Sequence, residues 1–246
     1  MASLILYVTL SILSLNAQAP QTAPAKLPGE PHHHLKIDNA YVRAYYVELA
    51  PYEEAPLHQH DHDYIFISLG PTDVMNEVPN KPDVHLVLKD GEMRFARGGF
   101  AHVTRNLSDA PLRLVAIEFL RPQGEPQNLC AQVLPAKPVG TCGRTTTAAR
   151  TCSLTREPQM ETGETGVEVI KFGGEGCDSE LRPESLLVSL TSPGIEVNIN
   201  GSSARALRQG EVAWLGPEEH GYVSDLGHES RYLQVTFKDG GKKASD

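Results

Sequence analysis

From Leu35 onward the apolar positions recur in short runs, and none of the runs has a helical period. "AYVRAYYVEL" alternates, "DYIFISLG" is a continuous apolar run closed by Gly70, and "DVHLVLKDG" stops in a Lys-Asp-Gly turn. "EMRFARGG", "AHVTRN" and "LRLVAIEFL" follow. Val, Ile, Tyr, Phe and Thr fill the runs, and turn signals arrive about every 8–12 residues, which predicts an all-β sandwich or barrel. No stretch carries the i, i+3, i+4 spacing of an amphipathic helix.

The pattern then starts again. Arg121–Glu157 is rich in Pro, Thr, Ala and Gly and reads as a linker. Beyond it, "GVEVIKF" resembles "AYVRAYYVE", and "SLLVSLTSPGIEVNI" resembles "DYIFISLGPTDVMNEV". "RALRQGEVAWLGPEEHGYVSD" resembles "LVLKDGEMRFARGGFAHVTRN", and "RYLQVTF" resembles "LRLVAIEF". The order of matches around Gly91/Gly210 and His102/His220 predicts an internal duplication. The domains expected are 35–122 and 163–240, joined by a cysteine-bearing linker at 123–162.

Composition narrows the setting. The chain has 246 residues, enough for one large or two small cores, with a formal charge of −9 and a pI near 5.6. No basic cluster points to nucleic acid. The first 25 residues carry no charged side chain, Leu4–Leu15 is mostly apolar, and "AQA" follows. This predicts a signal peptide at 1–19, hence a secreted or periplasmic protein with no membrane attachment after cleavage. A cut after Ala17 fits as well as one after Ala19. Residues 20–34 are expected to form a flexible leader, with "HHH" at 32–34 exposed and meeting metal only adventitiously. Cys130, Cys142, Cys152 and Cys177 suit two disulfides with three possible connectivities.

The chemistry concentrates at "HQHDHD", residues 58–63. On a strand His58, His60 and His62 share one face. Two imidazoles at i and i+2 can grip one metal if another strand brings a third ligand. The partner segment is "RGGFAHVTRN", with His102.

These two segments resemble the motifs of the cupin family. "HQHDHDYIFISLG" supplies a His-x-His pair and a closing Gly70; "GEMRFARGGFAHVTRN" supplies Gly91, Gly99, His102 and Asn106 at the family spacing. Pro51 and Arg97 depart from the pattern. The resemblance implies tandem jelly-roll β-barrels, the first with a metal held by His58, His60, His102 and Asp63. His62 is the alternative to Asp63: strand parity favours His62 and the family register favours Asp63, and a bulge would reconcile them. Asn106 is expected in a turn. The second half lacks His-x-His, so it reads as a degenerate copy, with His220 at the position of His102. Glu180 and Glu184 are expected to be solvated and Trp214 to lie in core.

The implied cofactor is one divalent transition metal (Fe, Mn, Ni, Cu or Zn), and the implied partner is a small-molecule substrate or ligand. Homo-oligomerisation is left open. The implied activity is that of a small-molecule dioxygenase of the quercetin-dioxygenase-like sort, with Phe66, Phe95 and Phe100 as candidate walls. A non-enzymatic metal- or ligand-binding module, a metal-dependent isomerase and a metal-free storage protein are the alternatives, because fold does not select among them.

Overall fold

The structure, a computed structural model, describes residues 23–149, 151–174, 176–227 and 229–238. The signal-peptide expectation at 1–19 and His228 lie outside them. The first half contains β1 (Ala25–Lys26), β2 (His33–Asp38), β3 (Val42–Leu49), β4 (His58–His60), β5 (Tyr64–Ser68), β6 (Thr72–Glu77), β7 (Val84–Leu88), β8 (Met93–Ala96), β9 (Phe100–Asn106) and β10 (Leu112–Phe119). The second contains β11 (Gln127–Asn128), β12 (Thr145–Ala149), β13 (Cys152–Glu161), β14 (Thr165–Gly174), β15 (Asp178–Glu180), β16 (Ser185–Ser189), β17 (Ile195–Ile199), β18 (Arg205–Leu207), β19 (Val212–Leu215), β20 (Gly221–Asp225) and β21 (Arg231–Phe237).

Each half is a barrel of two facing sheets. In the first the orders are β1-β4-β9-β6-β7 and β2-β3-β10-β5-β8; in the second they are β11-β13-β14-β21-β16-β19, with β12 on β13, and β15-β20-β17-β18. The fold is therefore the expected tandem pair of jelly-roll β-barrels.

The duplication is visible in single hydrogen bonds. The Gly91 N–H donates to the Ser68 carbonyl and the Gly210 N–H to the Ser189 carbonyl, both at 2.8 Å. In the same two turns, the Lys89 and Arg208 N–H groups donate to the Glu92 and Glu211 carboxylates, again at 2.8 Å. Gly91 and Gly210 sit at φ +74° and +81°, where a side chain is strained. Each also faces the other barrel. A Cβ at Gly91 would lie 3.1 Å from the Arg231 guanidinium, and one at Gly210 would lie 2.8 Å from Leu69.

The main core lies between the barrels. Ala44, Ile65, Ile67, Val115 and Ile117 from one sheet meet Val167, Val169, Leu186, Val188, Leu233 and Val235 from the other. The alternate residues of the same strands, such as Tyr45, Val47 and Ala116, or Ile170, Phe172 and Leu187, line the two barrel interiors. These strands are buried on both faces, which is why "YIFIS" and "SLLVS" read as continuous apolar runs. Trp214 is half-buried against this core beside Tyr41 and Phe237. Glu184 is not solvated as expected; it accepts the Tyr41 hydroxyl across the boundary between the halves.

Two boundaries differ from the sequence expectation. Residues 25–34 are not a loose leader. β1 pairs in parallel with β4 (Ala25 with His58), and Leu27 is buried against Tyr45, Val47 and Ala116. The cysteine segment is also more than a linker. Val133 is fully buried in the shared core and Cys152–Glu161 is a ten-residue strand. The disulfides join Cys130 to Cys142 and Cys152 to Cys177.

The shared core makes the two halves one cooperative unit. Ile117→Ala, in the first barrel, is expected to cost about 2–5 kcal/mol. Trp214 fluorescence, which reports from the second barrel, should follow the same destabilised denaturation curve; an unchanged Trp214 transition would contradict it.

Candidate metal centre

β4 and β9 run antiparallel with His58 opposite His102 and His60 opposite Phe100. Because side chains alternate along β4, His58 and His60 both enter the barrel while Gln59 turns outward. All three expected histidines are buried. Ring centroids of His58 and His102 are 4.4 Å apart, and those of His60 and His102 5.4 Å. Tyr64 stacks flat on His60, at 3.8 Å between centroids.

A fourth imidazole joins them from the segment expected to be exposed. β2 places His33 opposite Val47, and its ring packs edge-on against that of the buried Tyr45 at 5.9 Å. Its ring lies 4.8 Å from that of His58 and 5.7 Å from that of His60. The donor atoms of His33, His58 and His60 fall within 4.8 Å of one another. The expected exposure of "HHH" is thus corrected at His33, whose side chain is buried.

Three of the four rings have one nitrogen held by an oxygen. His58 Nδ1 lies 2.8 Å from the Pro56 carbonyl, which can only accept, so Nδ1 carries the proton and Nε2 keeps its lone pair. His102 Nδ1 bonds Asn76 Oδ1, and His33 Nδ1 bonds the Glu30 carboxylate. His60 Nδ1 faces Glu118 Oε1 at 3.4 Å, longer than a good hydrogen bond. Oriented rings of this kind are what metal-ligating histidines require. His102 Nε2 is buried with no partner, an orphan that a metal would satisfy.

Asp63 stands apart from this set. Its carboxylate accepts Arg97 Nη1 at 2.7 Å and the Gly98 N–H at 3.1 Å. The strand stops at His60, and His62 lies half-buried in the following turn. Gly98 is needed for close approach, since a Cβ there would run into the His62 backbone. Asn106 is buried and caps a turn, its amide donating to the Ala50 and Ala110 carbonyls.

Burial sets the electrostatics. It pushes the His58 pKa down to about 4 and that of His60 to about 2, with the neighbouring His33 charge adding to both. Burial, followed by the other histidines, takes His102 well below its ordinary value. Burial also raises the Glu118 carboxyl and lifts Tyr45 to about 12. The buried imidazoles are therefore neutral at pH 7, the form that binds metal. They open onto a cavity of about 210 Å³ lined by Phe66, Phe95, Phe100, Leu114 and Val74, with Arg94 on its wall. Arg94 Nε is buried without a partner.

Among the described residues the second barrel has no such centre. The residues six and four before β16 are Ser179 and Leu181, where β5 has His58 and His60. Val223 pairs with Ser179 as His102 pairs with His58. Val223, and not His220, is therefore the counterpart of His102; the β19–β20 connection is longer than β8–β9, and His220 is exposed on it. Leu181, Val223, Phe172 and Tyr232 fill that interior.

Sequence reasoning missed His33, Glu30, Asn76 and Glu118. An acid inside the apolar run "LVAIEF" was a readable signal for Glu118, which is 2% exposed. Asn76 carried none.

No protein-family model matches the chain, and no curated protein matches it. Solved structures do. AerE from Microcystis aeruginosa is similar at 12% identity and a TM-score of 0.57, over 85% of this chain and 99% of that one. A salicylate 1,2-dioxygenase from Pseudoaminobacter salicylatoxidans, in an adduct with gentisate, is similar at 13% identity and 0.53, over 80% and 68%. An oxalate decarboxylase is similar at 10% identity and 0.52, over 89% and 78%. At these identities the likeness is one of fold.

Depressed histidine pKa values fix the sign of a pH effect. Between its ordinary 6.5 and its folded value near 4, His58 binds more protons unfolded than folded. Stability of the metal-free protein is thus full above pH 6.5 and falls as pH drops toward 4. Thermal midpoints measured in chelator should decline from pH 7.5 to pH 5, and more gently in His58→Asn. A flat profile in the wild type would contradict the burial account.

Proposed function

We propose that the first barrel is a metal centre acting on a small organic acid or phenol, and that the second barrel serves as its support. The observation that carries this is the set of oriented, neutral histidines at one end of an apolar cavity. The residues present fit a divalent transition metal, drawn from Fe, Mn, Ni, Cu or Zn: imidazole nitrogens suit all five. His58, His60 and His102 would hold it. When bound, such a metal supplies Lewis-acid or redox chemistry to an oxygen-bearing substrate.

The protein's own residues select the substrate. An apolar cavity of about 150 Å³ accommodates benzene, so 210 Å³ suits a molecule of about one ring. Phe66 and Phe100 offer flat apolar walls. The Arg94 Nε–H offers a donor to a carboxylate or phenolate. Gentisate, seen with the similar salicylate dioxygenase, is a compound of this class. Dioxygenase chemistry is the finer form of the proposal. Within it, the quercetin-dioxygenase-like reading is narrowed by cavity size toward one-ring rather than three-ring substrates. Export goes with the proposal, and two disulfides with no free cysteine among the described residues support an oxidising compartment.

A non-enzymatic binding module is the second reading, favoured by the largely apolar cavity wall. Metal analysis and dioxygen uptake over a panel of hydroxybenzoates, catechols and flavonols separate the two. The enzyme reading expects about one metal per chain, loss of metal in His58→Ala, and uptake with a one-ring acid. Arg94→Met should raise KM for that acid about tenfold or more while keeping the metal. Metal without turnover on any member of the panel would favour the binding module; no metal at all would remove both.

A further inference from the structure

The segment before β2 is an unusual place to find a buried carboxylate. Glu30 is 3% exposed, yet it follows a single helical turn, Leu27–Gly29, close to the start of the described chain. A buried charge is costly unless paired. Glu30 accepts the His32 N–H at 3.0 Å, His32 Nδ1 at 2.7 Å and His33 Nδ1. Burial alone would raise its pKa; the hydrogen bonds and charge of His33 and His32 overcome that and hold it near 2. His32 Nε2 in turn reaches Glu53 at 3.1 Å, tying the segment to the turn after β3. Upstream, the Ala25 N–H donates to the Leu57 carbonyl at 2.9 Å beside His58, and Leu27 plugs the lumen. The segment is a strap that bridges the two sheets, paired with β4 upstream of His33 and with β3 from His33 onward.

Resting on the metal-centre reading, we infer that His33 is a fourth ligand, delivered by this strap and aimed by Glu30, in the place the sequence pattern gives to Asp63. Three observations combine. The donor atoms of His33 share a 4.8 Å cluster with those of His58 and His60. Its Nδ1 is engaged by an acceptor, which leaves Nε2 as the ligating nitrogen, as at His58 and His102. The Asp63 carboxylate already carries Arg97 and the Gly98 N–H. The set is then all imidazole, so the protein adds no negative charge to the metal. The strap must be seated for the site to be complete.

Titration of the full metal-free chain with Co²⁺ alone tests this, reading affinity and the visible absorption bands. Hydrogen exchange over residues 25–34 gives an independent readout. His33→Ala is expected to weaken Co²⁺ at least tenfold, to change the bands and to abolish metal-induced protection of the strap. Glu30→Gln should weaken Co²⁺ about tenfold, the scale of losing a residue that orients a ligand. Asp63→Asn should leave affinity and bands unchanged. Far-UV dichroism and Trp214 fluorescence confirm that each variant is folded; should His33→Ala fail to fold, Glu30→Gln and strap protection in the wild type decide. Wild-type Co²⁺ binding that survives in His33→Ala and Glu30→Gln, or is lost in Asp63→Asn, overturns the inference alone. No Co²⁺ binding by the wild type overturns the metal centre with it.

Discussion

Several imidazoles buried in one apolar lumen must each find a use for two ring nitrogens. That constraint organises the first barrel. His58, His102 and His33 each have one nitrogen held by a fixed oxygen, from Pro56, Asn76 and Glu30, and donor atoms of His33, His58 and His60 gather within 4.8 Å of one another. Without a ligand there, His102 Nε2 is a polar atom hidden from water for no structural return. The low pKa values of His58, His60 and His102 are the same fact in another form: those rings are held neutral because there is no solvent to receive a charge.

The second barrel shows what relaxing the constraint permits. With Ser179, Leu181 and Val223 in the ligand positions, the interior closes on itself. The Tyr232 hydroxyl bonds Ser179, and Arg156 reaches the same oxygen. One topology has been filled in one copy and kept hollow in the other, and the difference is a handful of side chains on equivalent strands.

Most of the fold was legible because strand period and turn chemistry are local. The Lys-Asp-Gly-Glu and Arg-Gln-Gly-Glu turns set the correspondence of the halves, and the structure keeps it bond for bond. His58, His60 and His102 could be read because β4 parity and β9 pairing suffice to bring them together. His220 misled because two extra residues in one connection shift spacing without changing order. His33 was illegible for a different reason: its inward direction comes from the β2–β3 register and from Leu27 anchoring, neither of which is encoded near "HHH". Position 62–63 shows local parity losing to strand termination, since β4 ends at His60, before either residue could be placed by it.

The core between the barrels has a consequence for how such a chain comes into being. The histidines of the candidate metal centre are complete by β10, so the first barrel could close as soon as that strand is made. Its outer sheet would then present Ile65, Ile67, Val115 and Ile117 to water with nothing opposite. The sheet waits for Leu233 and Val235, which are among the last described residues to be synthesised. Until then the nascent protein carries a broad apolar wall, the kind of surface that recruits other chains. The second barrel supplies, in the same molecule, the apolar face that covers the first.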